Sequence, residues 1–201
     1  MKSQLEDLYR RTGLTKESCF FASRRIGKHD TLSLWALTTL AFCLIIISML
    51  TQIYDDNGFI KENNRFIDFS ITSMSVFALV ISVLIQKSNF ALRSEKYRNQ
   101  AMAISDLRIS FRHLIDYQPE DGTSQEEIYK DKSEKYADIL NRNLVHEQID
   151  FLITNSKGVE NKYYQIKLFI TEYLGYWTII AITISLLVWV CIGTIESSTI
   201  A

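Results

Sequence analysis

The sequence predicts an all-α integral membrane protein: a transmembrane hairpin with long cytoplasmic helical extensions, then a third transmembrane helix near the C-terminus. Two observations predict it. Three windows hold no charged residue, Leu32 to Tyr54, Phe69 to Gln86 and Tyr173 to Ile195, of 23, 18 and 23 residues. A hydrocarbon core of roughly 30 Å takes about 20 apolar residues at helical rise, so the outer two suffice and the middle one is just adequate. The second observation is segregation. The chain as a whole is 47% hydrophobic and 22% charged with a net charge of -1, figures that would suit a soluble domain, yet all the charge lies outside these windows.

The elements follow in order. Residues 1–31 carry Lys2, Arg10, Arg11, Lys16, Arg24, Arg25 and Lys28, and within them Thr15 to Lys28 has the mixed basic and apolar character of an amphipathic lead-in helix. Arg24, Arg25 and Lys28 stand next to the first span, placed to touch anionic headgroups. No secretory signal is expected, because the first apolar run follows a long charged segment. After the first span (32–54), the connection 55–68 holds only Lys61 and Arg65 against four acids. Basic residues concentrate on the cytoplasmic side, so this connection is an outside loop and the N-terminus faces in. The second span (69–86) returns the chain to a cytoplasmic segment, 87–172, with thirteen of the 22 basic residues. The third span (173–195) leads to an outside tail, 196–201.

No Pro or Gly stands between Lys87 and Gln118. Phe90, Tyr97, Ala101, Ile104, Leu107, Phe111, Leu114 and Ile115 recur at mostly three- and four-residue spacing, so the second span should continue unbroken out of the membrane. Pro119, the only proline, and Gly122 end it. Ser124 and Glu127 have the form of a capping box ahead of Ile128, Tyr136, Ile139 and Leu140, which predicts a second cytoplasmic helix, antiparallel to the first because the connection is short. Asn155 to Gly158 then breaks the pattern.

Catalytic chemistry finds no support: no phosphate-binding glycine loop, nucleophile elbow or His-Glu-x-x-His pair is present. Cys19, Cys43 and Cys191 lack metal-ligand spacing, and no cofactor is expected. Charge-free spans argue against a proton relay or an ion-coupled transporter. Two features remain. Thr72, Ser75, Leu79, Ser82 and Gln86 recur at spacings of three and four on the second span, which fits the lining of an aqueous path with Leu79 as a dewetting constriction, or a close helix-packing face. His146 and Asp150 lie one helical turn apart and could share a face, more simply as a hydrogen-bonded pair than as an acid/base site.

The chain resembles the SLATT family, the SMODS and SLOG-associating transmembrane effector domains. The resemblance is carried by Thr15-Lys16-Glu17-Ser18, Ala22-Ser23-Arg24-Arg25-Ile26, Ser94-Glu95-Lys96-Tyr97, Ile104-Ser105-Asp106-Leu107 and Tyr136-Ala137-Asp138-Ile139-Leu140, then His146 and Asp150-Phe151 and a C-terminal apolar segment. Cys19 stands where a basic residue is expected, and Val145 where Asn is usual. The resemblance implies a homo-oligomeric, pore-forming effector of a bacterial anti-phage, abortive-infection system in the inner membrane. A nucleotide second messenger or a sensor protein, such as a synthase or a reverse transcriptase, would trigger it, with Tyr136, His146 and Asp150 as regulatory candidates. Basic residues of the cytoplasmic segment are matched by acids, so direct nucleic-acid binding is not expected. The alternative is a non-conducting scaffold that recruits a partner enzyme through its cytoplasmic helices.

Overall fold

A computed structural model describes residues 2–116, 125–141 and 147–200, and among them every element is helical. α1 runs without interruption over Lys2–Ile53, so the basic lead-in and the first apolar window are one helix. α2 spans Gly58–Ser88, α3 Phe90–Asp116, α4 Gln125–Asn141, α5 Gln148–Asn155 and α6 Gly158–Leu168. A wide π turn at Phe169–Tyr173 leads into α7, Leu174–Ile200. Three of these helical stretches are long and apolar enough to cross a membrane, and each contains one of the windows read from the sequence.

Two expectations need correction. The connection 55–68 is mostly helix, because Asn57 caps α2 by accepting a hydrogen bond from the Phe59 amide through its side chain. The same Asn57 amide donates to the Thr194 carbonyl and to Ser198 Oγ, tying the start of α2 to the end of α7. Nor does the second span run on unbroken. Asn89 takes a left-handed conformation, φ 45° and ψ 45°, which ends α2 and starts α3 afresh. Asn reaches that region more readily than other residues with a Cβ, so a chain without Pro or Gly still breaks there.

The described chain forms two compact units. The polar unit combines residues 1–28 with 90–168. Its core lies where α1 meets α3: Leu5 and Leu8 with Leu107, Cys19 with Ala101 and Ile104, Ala22 and Ile26 with Tyr97. Small residues on α1 bring the two backbones close, and Ser23 and Ser94 exchange hydrogen bonds, each hydroxyl donating to the other's carbonyl at 2.9 and 2.8 Å. α4 lies antiparallel to α3, with Ile128 and Tyr129 packed near Leu107 and Leu114, and Tyr136 and Ile139 near Ala101 and Ile104. The predicted cap of α4 at Ser124 and the turn at Pro119 and Gly122 lie outside the described residues.

The apolar unit combines residues 29–89 with 169–201. α1, α2 and α7 meet there in two layers, Leu40, Cys43 and Met74 with Ile179 and Leu186, then Ile47, Ile67 and Val190. Phe59 lies against Gly193 and meets Trp189 edge-on, ring centroids 5.0 Å apart. Outward-facing positions of this unit are large and apolar, among them Trp35, Phe42, Phe77, Ile182 and Ile195. Contiguous apolar surface of this kind is tolerable only when covered, and lipid is what covers a helical surface without charge.

Candidate functional site

In the polar unit, Arg25 on α1 and Asp150 on α5 form a bidentate ion pair, Nε to Oδ1 at 2.8 Å and Nη2 to Oδ2 at 3.2 Å. Both are buried, Arg25 at 5% exposure and Asp150 at 0%. Glu147 adds a third arm, Oε1 at 3.1 Å from Arg25 Nη2. Asp150 also serves its own helix: Oδ2 accepts the Glu147 backbone N–H at 3.1 Å, half of the capping box that starts α5. A single carboxylate therefore caps α5 and ties it to α1. Burial pushes the Asp150 carboxyl above the usual carboxylate range, and the Arg25 guanidinium pulls against that shift. The same desolvated interior, with the Asp150 charge adding to it, pushes the Cys19 thiol up to about 11.

Arg25 was expected at the membrane surface with Arg24 and Lys28, and this expectation is corrected. It points inward because α1 presents its small residues and Arg25 to the rest of the unit, while Arg24 and Lys28 stay exposed. Asp150 was expected beside His146; His146 lies outside the described residues, and the partner that Asp150 shows is Arg25. Tyr136 is on α4, half-buried, with its hydroxyl 2.7 Å from Thr15 Oγ1 on α1.

The second candidate is the polar stripe of α2. Thr72, Ser75, Leu79 and Gln86 are exposed and Ser82 is half-buried, on a face that the unit's own core does not use. Leu79 is 66% exposed. Thr72 and Ser75 donate to the carbonyls of Asp68 and Ile71 one turn back, at 2.9 Å each, so these hydroxyls are satisfied within the helix. Packing inside the single chain is done instead by Ile60, Ile67 and Met74.

A third cluster was missed in the sequence. His29 Nε2 lies 2.7 Å from Glu172 Oε2 and its Nδ1 3.3 Å from the Tyr176 hydroxyl, with the Tyr173 ring at 5.1 Å. Glu172 sits in the π turn, a widened turn of the sort that re-aims side chains. The only signal was positional: each of the two ionisable residues flanks an apolar window. Among the described residues no group of His, Cys, Asp and Glu has the makings of a metal site.

Fold and sites together define an all-α membrane protein with a polar helical unit fastened internally by a buried ion pair. The chain belongs to the SMODS and SLOG-associating 2TM effector domain family 5, which it matches over residues 1–195. It is thus an effector domain associated with anti-phage defence systems. No curated protein and no solved structure gives a significant match.

Proposed function

We propose that the protein is a non-enzymatic, homo-oligomeric pore-forming effector of the bacterial inner membrane, with its N-terminus cytoplasmic, which leaks the membrane and halts growth when infection is sensed. The observation that carries this reading is the polar stripe of exposed Thr72, Ser75 and Gln86 with half-buried Ser82, on a span that is otherwise apolar. The chain's own core leaves this face uncovered, and copies of α2 turned toward a common axis would give it water or one another. Leu79, in the same register, supplies the constriction that keeps a resting pore dry.

Gating falls to the polar unit. The Arg25–Asp150 pair closes α5 onto α1, and α1 is the same continuous helix that carries the first span. A switch requires two packings of similar energy biased by a trigger, and a buried ion pair suits that role, since it fixes one arrangement strongly while adding little net stability. A sensor protein or a nucleotide messenger delivers the trigger.

The test is dye and ion leakage across the membrane of cells that express the protein with and without its genomic neighbours. Leakage only on triggering is expected, with Ser75→Leu and Ser82→Leu together abolishing conductance while cross-linked oligomers remain. Loss of assembly in that variant would make the stripe a packing face, and absence of leakage under every trigger would refute the pore.

A further inference from the structure

The apolar unit holds a crevice of about 400 Å3 between α2 and α7, walled by Phe66, Phe69 and Phe77 on one side and Ile182 and Leu186 on the other, with Leu40 and Met74 as its floor. Room for it comes from Ser70 and Ser73, small residues among the phenylalanines. The Ser70 hydroxyl donates to the Phe66 carbonyl and the Thr183 hydroxyl to the Ile179 carbonyl, at 2.8 Å each, so both are satisfied within their own helices. Phe66, Ile182 and Leu186 also border a second hollow, which reaches Trp189.

The Trp189 end is the mouth. Its ring meets those of Phe59 and Phe66 edge-on, with centroids 5.0 and 5.5 Å away. Phe66 lies three residues outside the charge-free window that starts at Phe69, so this cluster stands at headgroup depth, where tryptophans collect. Arg65, Phe69, Ser73 and Phe77 recur every fourth residue, which sets Arg65 at the head of the row that forms the α2 wall. Arg65 is exposed and makes no ion pair among the described residues, although Glu62 and Asp68 each stand three residues away.

We propose that this crevice binds one phospholipid, an acyl chain between α2 and α7 and its phosphate on Arg65. The volume falls within the roughly 300–1,000 Å3 of ligand sites, apolar walls suit a hydrocarbon chain, and a guanidinium at the mouth takes a phosphate through its planar fork. A helix from a second copy fits less well. Close helix contacts in membranes use small residues, whereas Phe66, Phe69 and Phe77 project here at 54, 70 and 61% exposure; a flexible chain passes between such rings and a helix does not.

At about 100° per residue, the crevice lies on the opposite face of α2 from Thr72, Ser75, Ser82 and Gln86. An assembly that turns that stripe to a common axis leaves the crevice open to the surrounding bilayer, from which its lipid enters sideways. This consequence rests on the pore reading; the binding itself does not.

Lipid counting by native mass spectrometry on the full chain, extracted in a maltoside detergent and washed free of loosely held lipid, tests the assignment. One phospholipid per chain should remain. Ser73→Phe, which fills the crevice, should lower that retention at least tenfold and Arg65→Gln at least threefold, while the exposed control Ile45→Phe on α1 should leave it unchanged. In a Trp35→Phe, Trp177→Phe background, phosphatidylcholine with brominated chains added back to washed protein should quench Trp189 and saturate near one lipid per chain. It should bind at least tenfold more tightly than brominated diacylglycerol, which has the chains and no phosphate. Melts followed by circular dichroism show that each variant is folded. No retained lipid and no saturable quenching, or equal retention by Ser73→Phe, would overturn the proposal. Equal affinity for diacylglycerol would overturn the phosphate contact, and a lipid-free dimer that Ser73→Phe dissociates would make the crevice a protein contact instead. None of these outcomes depends on whether the protein leaks a membrane.

Discussion

Removing the Asp150 carboxylate strands a guanidinium that is 5% exposed, and the size of that penalty is the sharpest test of the polar unit. Breaking a buried pair from one side costs about 3–5 kcal/mol. Glu147 stays 3.1 Å from Arg25 and is half-exposed on its far side, so it offsets part of the loss and sets the expectation at the lower end, about 3 kcal/mol. Asp150→Asn keeps an acceptor for the Glu147 N–H and should lose only that. Asp150→Ala also uncaps α5, which adds about 1 kcal/mol. Arg25→Met with Asp150→Leu removes both charges and should cost little beyond the cap, since well-packed apolar residues replace buried pairs at near neutrality. Cys19, 0% exposed and in the same unit, reports the opening. In a Cys43→Ala, Cys191→Ala background its modification rate tracks the opened fraction, which changes tenfold per 1.4 kcal/mol. Rates should rise about 100-fold for Asp150→Asn and about 1,000-fold for Asp150→Ala, and only about fivefold for the double apolar variant. A rise below fivefold in Asp150→Ala would show that water reaches the pair in solution, and the fastening argument would fail.

Three further outcomes follow from the same geometry. Because burial raises the Cys19 thiol to about 11 from its ordinary 9.0, the protonated thiol is what the fold favours; its contribution is complete below pH 9 and is lost as pH rises toward 11. A difference of about two is worth about 3 kcal/mol at most, so urea stability of the polar unit should decline across that window and Cys19→Ala should flatten the decline. A methyl at Gly193 would overlap the Phe59 ring, so Gly193→Ala should destabilise the apolar unit by about 1–3 kcal/mol in detergent melts, and Phe59→Leu should restore much of it. At Asn89, with φ 45°, Asn89→Gly should be neutral or slightly stabilising while Asn89→Val should cost about 1–2 kcal/mol, read as a shift in melting temperature.

Much of the fold was legible because the signals were long. Three charge-free windows and the periodic run from Tyr97 to Leu107 leave little choice of element, and the break between Asn155 and Gly158 was marked by its own residue types. What stayed hidden depends on single side chains or on distance along the chain. Asn89 breaks a helix that no proline or glycine marks. Asn57 starts a helix inside a charged connection that reads as a loop. Arg25 sits in a basic run with Arg24, and only the placement of α5, 125 residues later, distinguishes the buried arginine from the exposed one. The pairing of His29 with Glu172 is separated by 143 residues, and no local pattern could have joined them.

The family is described as having two spans, whereas this chain carries three helices fit to cross a membrane, and the two units decide how they are used. Residues 1–28 and 90–168 belong to one compact polar body. The apolar unit is residues 29–89 with 169–201. Within it the windows of α1 and α2 pack side by side as a hairpin, Leu40, Cys43 and Met74 in one layer and Ile47 and Ile67 in the next, each window on a helix long and apolar enough to span. α7 follows the π turn at Phe169–Tyr173. Its residues from Leu174 to Ile195 are free of charge, it packs on both members of the hairpin through Leu186, Leu187 and Val190, and it turns Ile182, Val188 and Ile195 outward. Folded back into water, that surface would be an exposed apolar patch the length of a helix; within the bilayer it is ordinary lipid contact. The third helix therefore packs as part of the apolar unit, alongside the hairpin.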